Sequence, residues 1–72
     1  MSKLPVLSGK ELIRLLLKIG YWIRDQEGSH IHLRHPWRKP LTVPNHKTIA
    51  RGTLRTIVKE ANLTRGEFEK LL

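Results

Sequence analysis

The sequence predicts an α+β fold. A helix, three antiparallel strands and a second helix follow in order, with a short extra helix at the C-terminus. Three features predict it. Apolar residues recur at helical spacing on both sides of residues 21–43. Between them lie three short strand-like runs separated by turn residues, the middle one alternating clearly with period two. At two points a Ser or Thr precedes a Glu by three positions, the pairing of a reciprocal helix cap. Strands adjacent in sequence and joined by short turns form an antiparallel meander. Helices gathered on one face of such a sheet leave its other face to water.

Residues 1–7 form a short lead-in. Ser8, with Glu11 three positions on, opens the first helix. Leu12, Ile13, Leu16 and Ile19, with Leu15 alongside, form its apolar face. Gly20 suits a left-handed C-terminal cap. Tyr21 to Gln26 reads as the first strand, Glu27-Gly28 as a turn, and Ser29 to His35 as the second strand. There Ile31 and Leu33 point one way, and His30, His32 and Arg34 point the other, toward water. His35 falls on the apolar side and ends the strand. Pro36-Trp37-Arg38-Lys39 makes the next turn. Leu41-Thr42-Val43 is the third strand, closed by Pro44. From Gly52 to Ala61 the pattern is helical again. Leu54, Ile57, Val58 and Ala61 face inward, and Arg51, Arg55 and Lys59 mostly outward. Asn62 can cap that helix. Thr64 and Glu67 open a last short helix with Phe68, Leu71 and Leu72 as its apolar side.

The length of 72 residues fits one domain, 1–72, near the lower limit for an independent core. Lysine and arginine number 14 against 6 acids, a formal net charge of +8. Such a field attracts polyanions, chiefly nucleic acid or acidic protein. With no cysteine, disulfides and thiolate zinc sites are excluded. No stretch approaches the length of a membrane span. Pro5 and Ser8 interrupt the N-terminal apolar residues, so no secretion signal is expected and the reading is cytoplasmic.

His30 is the leading candidate for chemistry. It begins a strand just after a Gly-Ser turn, so a fixed backbone presents an accessible ring, as a preorganised base requires. The plain alternative is a solvated strand histidine. His32, on the same face, is a candidate proton donor or phosphate contact, or a tolerated surface residue. His46 follows Pro44-Asn45 in the loop after strand three. It is a candidate acid to His30's base, or it caps that loop. No carboxylate or thiol supports a metal-ligand spacing around these histidines, and no metal or cofactor is expected. Ser29 has no nucleophile elbow. Arg34, Arg38, Lys39 and Lys47 are candidate phosphate contacts. So are Arg51 and Arg55, which head the second helix, where free backbone N–H groups favour anions. Trp37, in a turn, is a candidate for base stacking. Trp22 serves equally to cover the sheet.

Taken in order, several segments form a specific set: Leu4-Pro5, Ser8 to Leu12, Gly28-Ser29-His30, Arg34-His35-Pro36, Val43-Pro44 with His46, Gly52 to Arg55, and Ala61-Asn62-Leu63. Across nearly its whole length the chain resembles the HicA-type (YcfA-like) toxins of HicA/HicB toxin–antitoxin pairs. The resemblance implies a fold like the double-stranded-RNA-binding domain. It implies an mRNA endonuclease independent of the ribosome, one essential histidine that maps onto His30, and a HicB antitoxin that covers the active surface. The chain departs from the family pattern in having Asp25 and Glu27 before Gly28, and Thr48 where many members carry an acid.

The expected activity is metal-independent RNA cleavage, with RNA and a HicB-like antitoxin as partners, no membrane, and a monomer as the free state. Two other classes remain open from the residues alone. One is a non-catalytic RNA-binding module of the same topology. The other is an interaction protein whose charge docks an acidic partner.

Overall fold

A computed structural model describes residues 4–72, so the first three residues of the lead-in lie outside the described part. The elements are α1 (Gly9–Lys18), β1 (Trp22–Glu27), β2 (His30–Arg34), β3 (Leu41–Pro44), α2 (Arg51–Glu60) and α3 (Arg65–Glu69). The strands form one antiparallel sheet in the order β1-β2-β3. This is the α-β-β-β-α layout with the extra C-terminal helix that the sequence predicts.

The predicted start signals form. Ser8 Oγ accepts the Glu11 N–H, and the Glu11 carboxylate accepts the Ser8 N–H at 2.8 Å. Thr64 and Glu67 repeat the arrangement at α3. Gly20 follows α1 at φ 102°, and Asn62 follows α2 at φ 61°. Both stop a helix by taking the left-handed conformation open to those residue types. Strand ends shift by about one residue from the sequence reading. The β1–β2 turn is Gly28-Ser29 rather than Glu27-Gly28, and Glu27 pairs directly with His30. Gly28 takes φ 58° there, as the first central residue of a type II′ hairpin turn must.

The core lies between the sheet and the helices. Leu12, Ile13, Leu15 and Leu16 of α1 and Leu54, Ile57 and Val58 of α2 meet Ile31, Leu33, Leu41 and Val43 of the sheet. Phe68 of α3 is fully enclosed in the same cluster. Both long helices pack on β3. In contrast, every residue of β1 is exposed. A β-bulge between Ile23 and Asp25 shifts the register of this strand. Without it, Asp25 and Glu27 would alternate onto the helix side. With it, they stand opposite His32 and His30 on the wet face.

Candidate nucleic-acid cleavage site

The alternation of β2 sets the site. Ile31 and Leu33 are buried, while His30 and Arg34 are exposed and His32 is half-buried. Burial of the two apolar side chains therefore fixes which way the imidazoles face. A groove of about 480 Å³ opens beside His30, and His46, Thr42, Thr48 and Thr53 also line it. Two histidines from separate elements thus share one cavity, which contains the polar groups needed to take up one proton and supply another.

The loop bearing His46 is fastened by its backbone. Asn45 N–H donates to Ser29 O at 2.6 Å, Gly9 N–H to His46 O at 2.9 Å, and Ile49 N–H to Leu7 O at 2.8 Å. The loop-fastening reading of His46 is thus seen in its carbonyl, and the same residue lines the groove beside His30.

His32 is differently placed. Its Nε2 lies 3.2 Å from Glu27 Oε1 and its Nδ1 lies 3.0 Å from Thr42 Oγ1. A carboxylate only accepts, so Nε2 carries a proton; in the neutral ring Nδ1 accepts from the Thr42 hydroxyl. Asp25 approaches Nε2 at 4.0 Å. Both ring nitrogens are engaged, and His32 does not line the His30 groove.

The candidate cations do not converge on one point. Arg34 is exposed on the wet face, opposite Trp22. Lys47 and Arg51 are exposed in the loop before α2 and at its first position. Arg55 lines a different depression, with Leu4, Val58 and Lys59. Arg38 Nη1 donates to Ala61 O at 2.7 Å, at the C-terminal end of α2. Its guanidinium also lies 4.4 Å from the centre of the Trp37 ring. Lys39 and Lys59 flank Trp37 in a shallow cavity at that same end.

His35 has a role that sequence reasoning missed. Its Nε2 donates to Ile19 O at 2.7 Å, and its Nδ1 accepts the N–H groups of both Trp37 and Arg38. The ring also meets Tyr21 and Trp37 edge-on, each at 4.8 Å between centres. It rivets the end of α1 to the turn after β2. The position beside Pro36 gave no signal of this, because all three partners are backbone groups and the most distant, Ile19 O, is brought close only by the fold.

Among the described residues, no group of three or more His, Cys, Asp or Glu is placed to hold a metal ion, and no helix is long and apolar enough to cross a membrane. No curated protein matches the chain. A family model described as the HicA toxin of bacterial toxin–antitoxin matches residues 9–63.

Proposed function

Because the chain belongs to the HicA toxin family of bacterial toxin–antitoxin systems, we propose that it is a cytoplasmic endoribonuclease, acting as a single domain over residues 1–72. On this reading it cleaves mRNA without a metal. The observation that carries the proposal is the groove shared by His30 and His46.

His30 takes the proton from a ribose 2′-OH. That oxygen attacks the adjacent phosphorus, and the bond from phosphorus to the 5′ oxygen breaks. His46 returns a proton to the leaving 5′ oxygen. The products are a 2′,3′-cyclic phosphate and a 5′-hydroxyl end, so atoms and charge balance. A positioned acid or base contributes about 10²–10⁴-fold to such a step. His32 serves as an auxiliary group, held by Glu27 and Thr42. Arg34, Lys47 and Arg51 supply positive potential to the phosphates. DNA lacks the attacking hydroxyl and resists.

A cognate HicB-type antitoxin silences the protein by covering the wet face of the sheet. The formal charge of +8 over the whole chain attracts an acidic partner. The test is RNA cleavage in EDTA by the parent chain and by His30→Ala. Cleavage by the parent alone is expected, and undiminished cutting by His30→Ala refutes the mechanism.

A further inference from the structure

Three depressions adjoin along one side of α2. The first is the groove of His30 and His46. The second is floored by Thr42, Thr53, Thr56 and Glu60, and shares Thr42, Ala50 and Thr53 with the first. The third lies among Trp37, Lys39 and Lys59, and shares Glu60 with the second. They run in series, as a segmented trough, from the N-terminal to the C-terminal end of the helix. The ten residues of α2 span about 15 Å at 1.5 Å each. That length matches about four stacked nucleotides at ~3.4 Å apiece.

The two ends differ in chemistry. One end holds the two histidines. The other presents Trp37, which is 72% exposed and the most exposed aromatic side chain of the chain. The indole is held in place. His35 Nδ1 anchors the backbone N–H of Trp37 and of Arg38. Arg38, tied to Ala61 O, lies against the ring. A large apolar ring kept in water and fixed in orientation is a stacking platform, because little side-chain freedom remains to be lost on binding. Lys39 and Lys59 supply cations beside it. Between the ends the floor carries the hydroxyls of Thr42, Thr53 and Thr56 and one carboxylate, Glu60, among Ala50, Gly52 and Ile57. Such a floor suits sugar hydroxyls and base amino groups and repels phosphate, which therefore lies along the outer rim.

We propose that this trough binds single-stranded RNA, with one nucleotide beside His30 and a base about four positions away stacked on Trp37. A duplex keeps its bases stacked on one another and offers no free ring face to the indole. The inference rests on the cleavage reading only for what happens at the His30 end.

The test uses the full chain carrying His30→Ala, so that RNA survives the measurement. Labelled RNA of about 12 nucleotides is titrated as a single strand and as a duplex at one salt concentration. The single strand binds at least about tenfold more tightly. Trp37→Ala weakens single-strand binding by about tenfold, whereas Trp37→Phe, which keeps an aromatic face, retains most of the affinity. In a Trp22→Phe background the remaining indole fluorescence is quenched by the single strand. In the cleaving chain the loss from Trp37→Ala falls on KM rather than kcat. Equal binding of duplex and single strand overturns the proposal, as does a Trp37→Ala chain that binds like its parent. Single-strand binding that depends on Trp37 in a chain that cuts nothing sinks the cleavage reading and leaves this one standing. Cleavage indifferent to Trp37 does the reverse.

Discussion

The backbone N–H of Gly9 donates to the carbonyl of His46 at 2.9 Å. The first residue of α1 thereby holds the loop that carries the second histidine of the groove. The lead-in adds Leu7 O to Ile49 N–H, and the β1–β2 turn adds Ser29 O to Asn45 N–H. One loop is fixed by three parts of the fold, the arrangement a proton-transfer group needs if its distance to the reacting atom is to stay constant.

Gly9→Ala breaks this arrangement. A Cβ at Gly9 would lie 2.9 Å from Asn45 Cα and closer still to Pro44 O. Both are backbone atoms, so the loop itself must shift. Overpacking of this kind costs about 1–3 kcal/mol, and the better helix propensity of alanine offsets at most about 1 kcal/mol. The urea midpoint should fall. RNA cleavage should fall by about tenfold or more beyond any loss of folded protein, since small misplacements of a reacting group are costly. A Gly9→Ala chain as stable and active as its parent would show that the loop is not held from this side.

Arg38 tests whether a cation serves phosphate or fold. Its Nη1 reaches Ala61 O at 2.7 Å and Asn62 O at 3.4 Å, where the last carbonyls of α2 need donors. Arg38→Ala should lower stability by about 1–2 kcal/mol. Arg38→Lys should recover little, because a single ammonium does not reproduce the planar guanidinium against Trp37. A pure phosphate contact gives the opposite result, with RNA affinity lost and the denaturation midpoint unchanged.

Much of the layout was legible because it rests on local signals. Ser8/Glu11 and Thr64/Glu67 cap their own helices within four residues, and the alternation of Ile31 and Leu33 alone assigns the face of His30. The bulge at residues 23–25 was not legible. It leaves no turn residue behind, yet it brings Asp25 and Glu27 beside His32. The trough was hidden for a related reason. Thr42, Thr53 and Thr56 read as ordinary strand and helix surface, and only the packing of α2 against β3 brings them together. The sequence grouped Arg55 with His30 by proximity to the helix start, whereas its place around the helix turns it toward Leu4.

The two capping boxes predict a specific acid response. The Ser8 backbone N–H, then its hydroxyl, holds the Glu11 carboxyl below the ordinary value of 4.5, and Thr64 does the same for Glu67. A carboxyl whose pKa is lowered on folding stabilises the fold above its unfolded value, and that contribution is lost as pH falls through the folded value. Urea midpoints should therefore be level near neutrality and decline below about pH 4.5. The double variant Glu11→Gln, Glu67→Gln keeps the acceptor oxygens but cannot ionise there. It should start lower at pH 7 and decline less toward pH 3. Parallel curves for parent and variant would place the acid sensitivity elsewhere.

The pH dependence of cleavage separates the roles of the two free histidines from that of His32. A base at His30 must be neutral and an acid at His46 must be protonated, so kcat should pass through a maximum with one limb belonging to each. His46→Ala should lower kcat by about 10²-fold or more and flatten the alkaline limb, where the parent loses its acid. His32→Ala should leave both limbs in place, because the His32 ring is bonded at both nitrogens to Thr42 and Glu27 and lies outside the groove. An RNA ending in a better leaving group than a ribose 5′ oxygen needs less protonation, so it should restore most of the rate to His46→Ala and none to His30→Ala. If His46→Ala keeps both limbs while His32→Ala loses the alkaline one, the acid is His32, and the Glu27–His32–Thr42 chain must open when RNA binds.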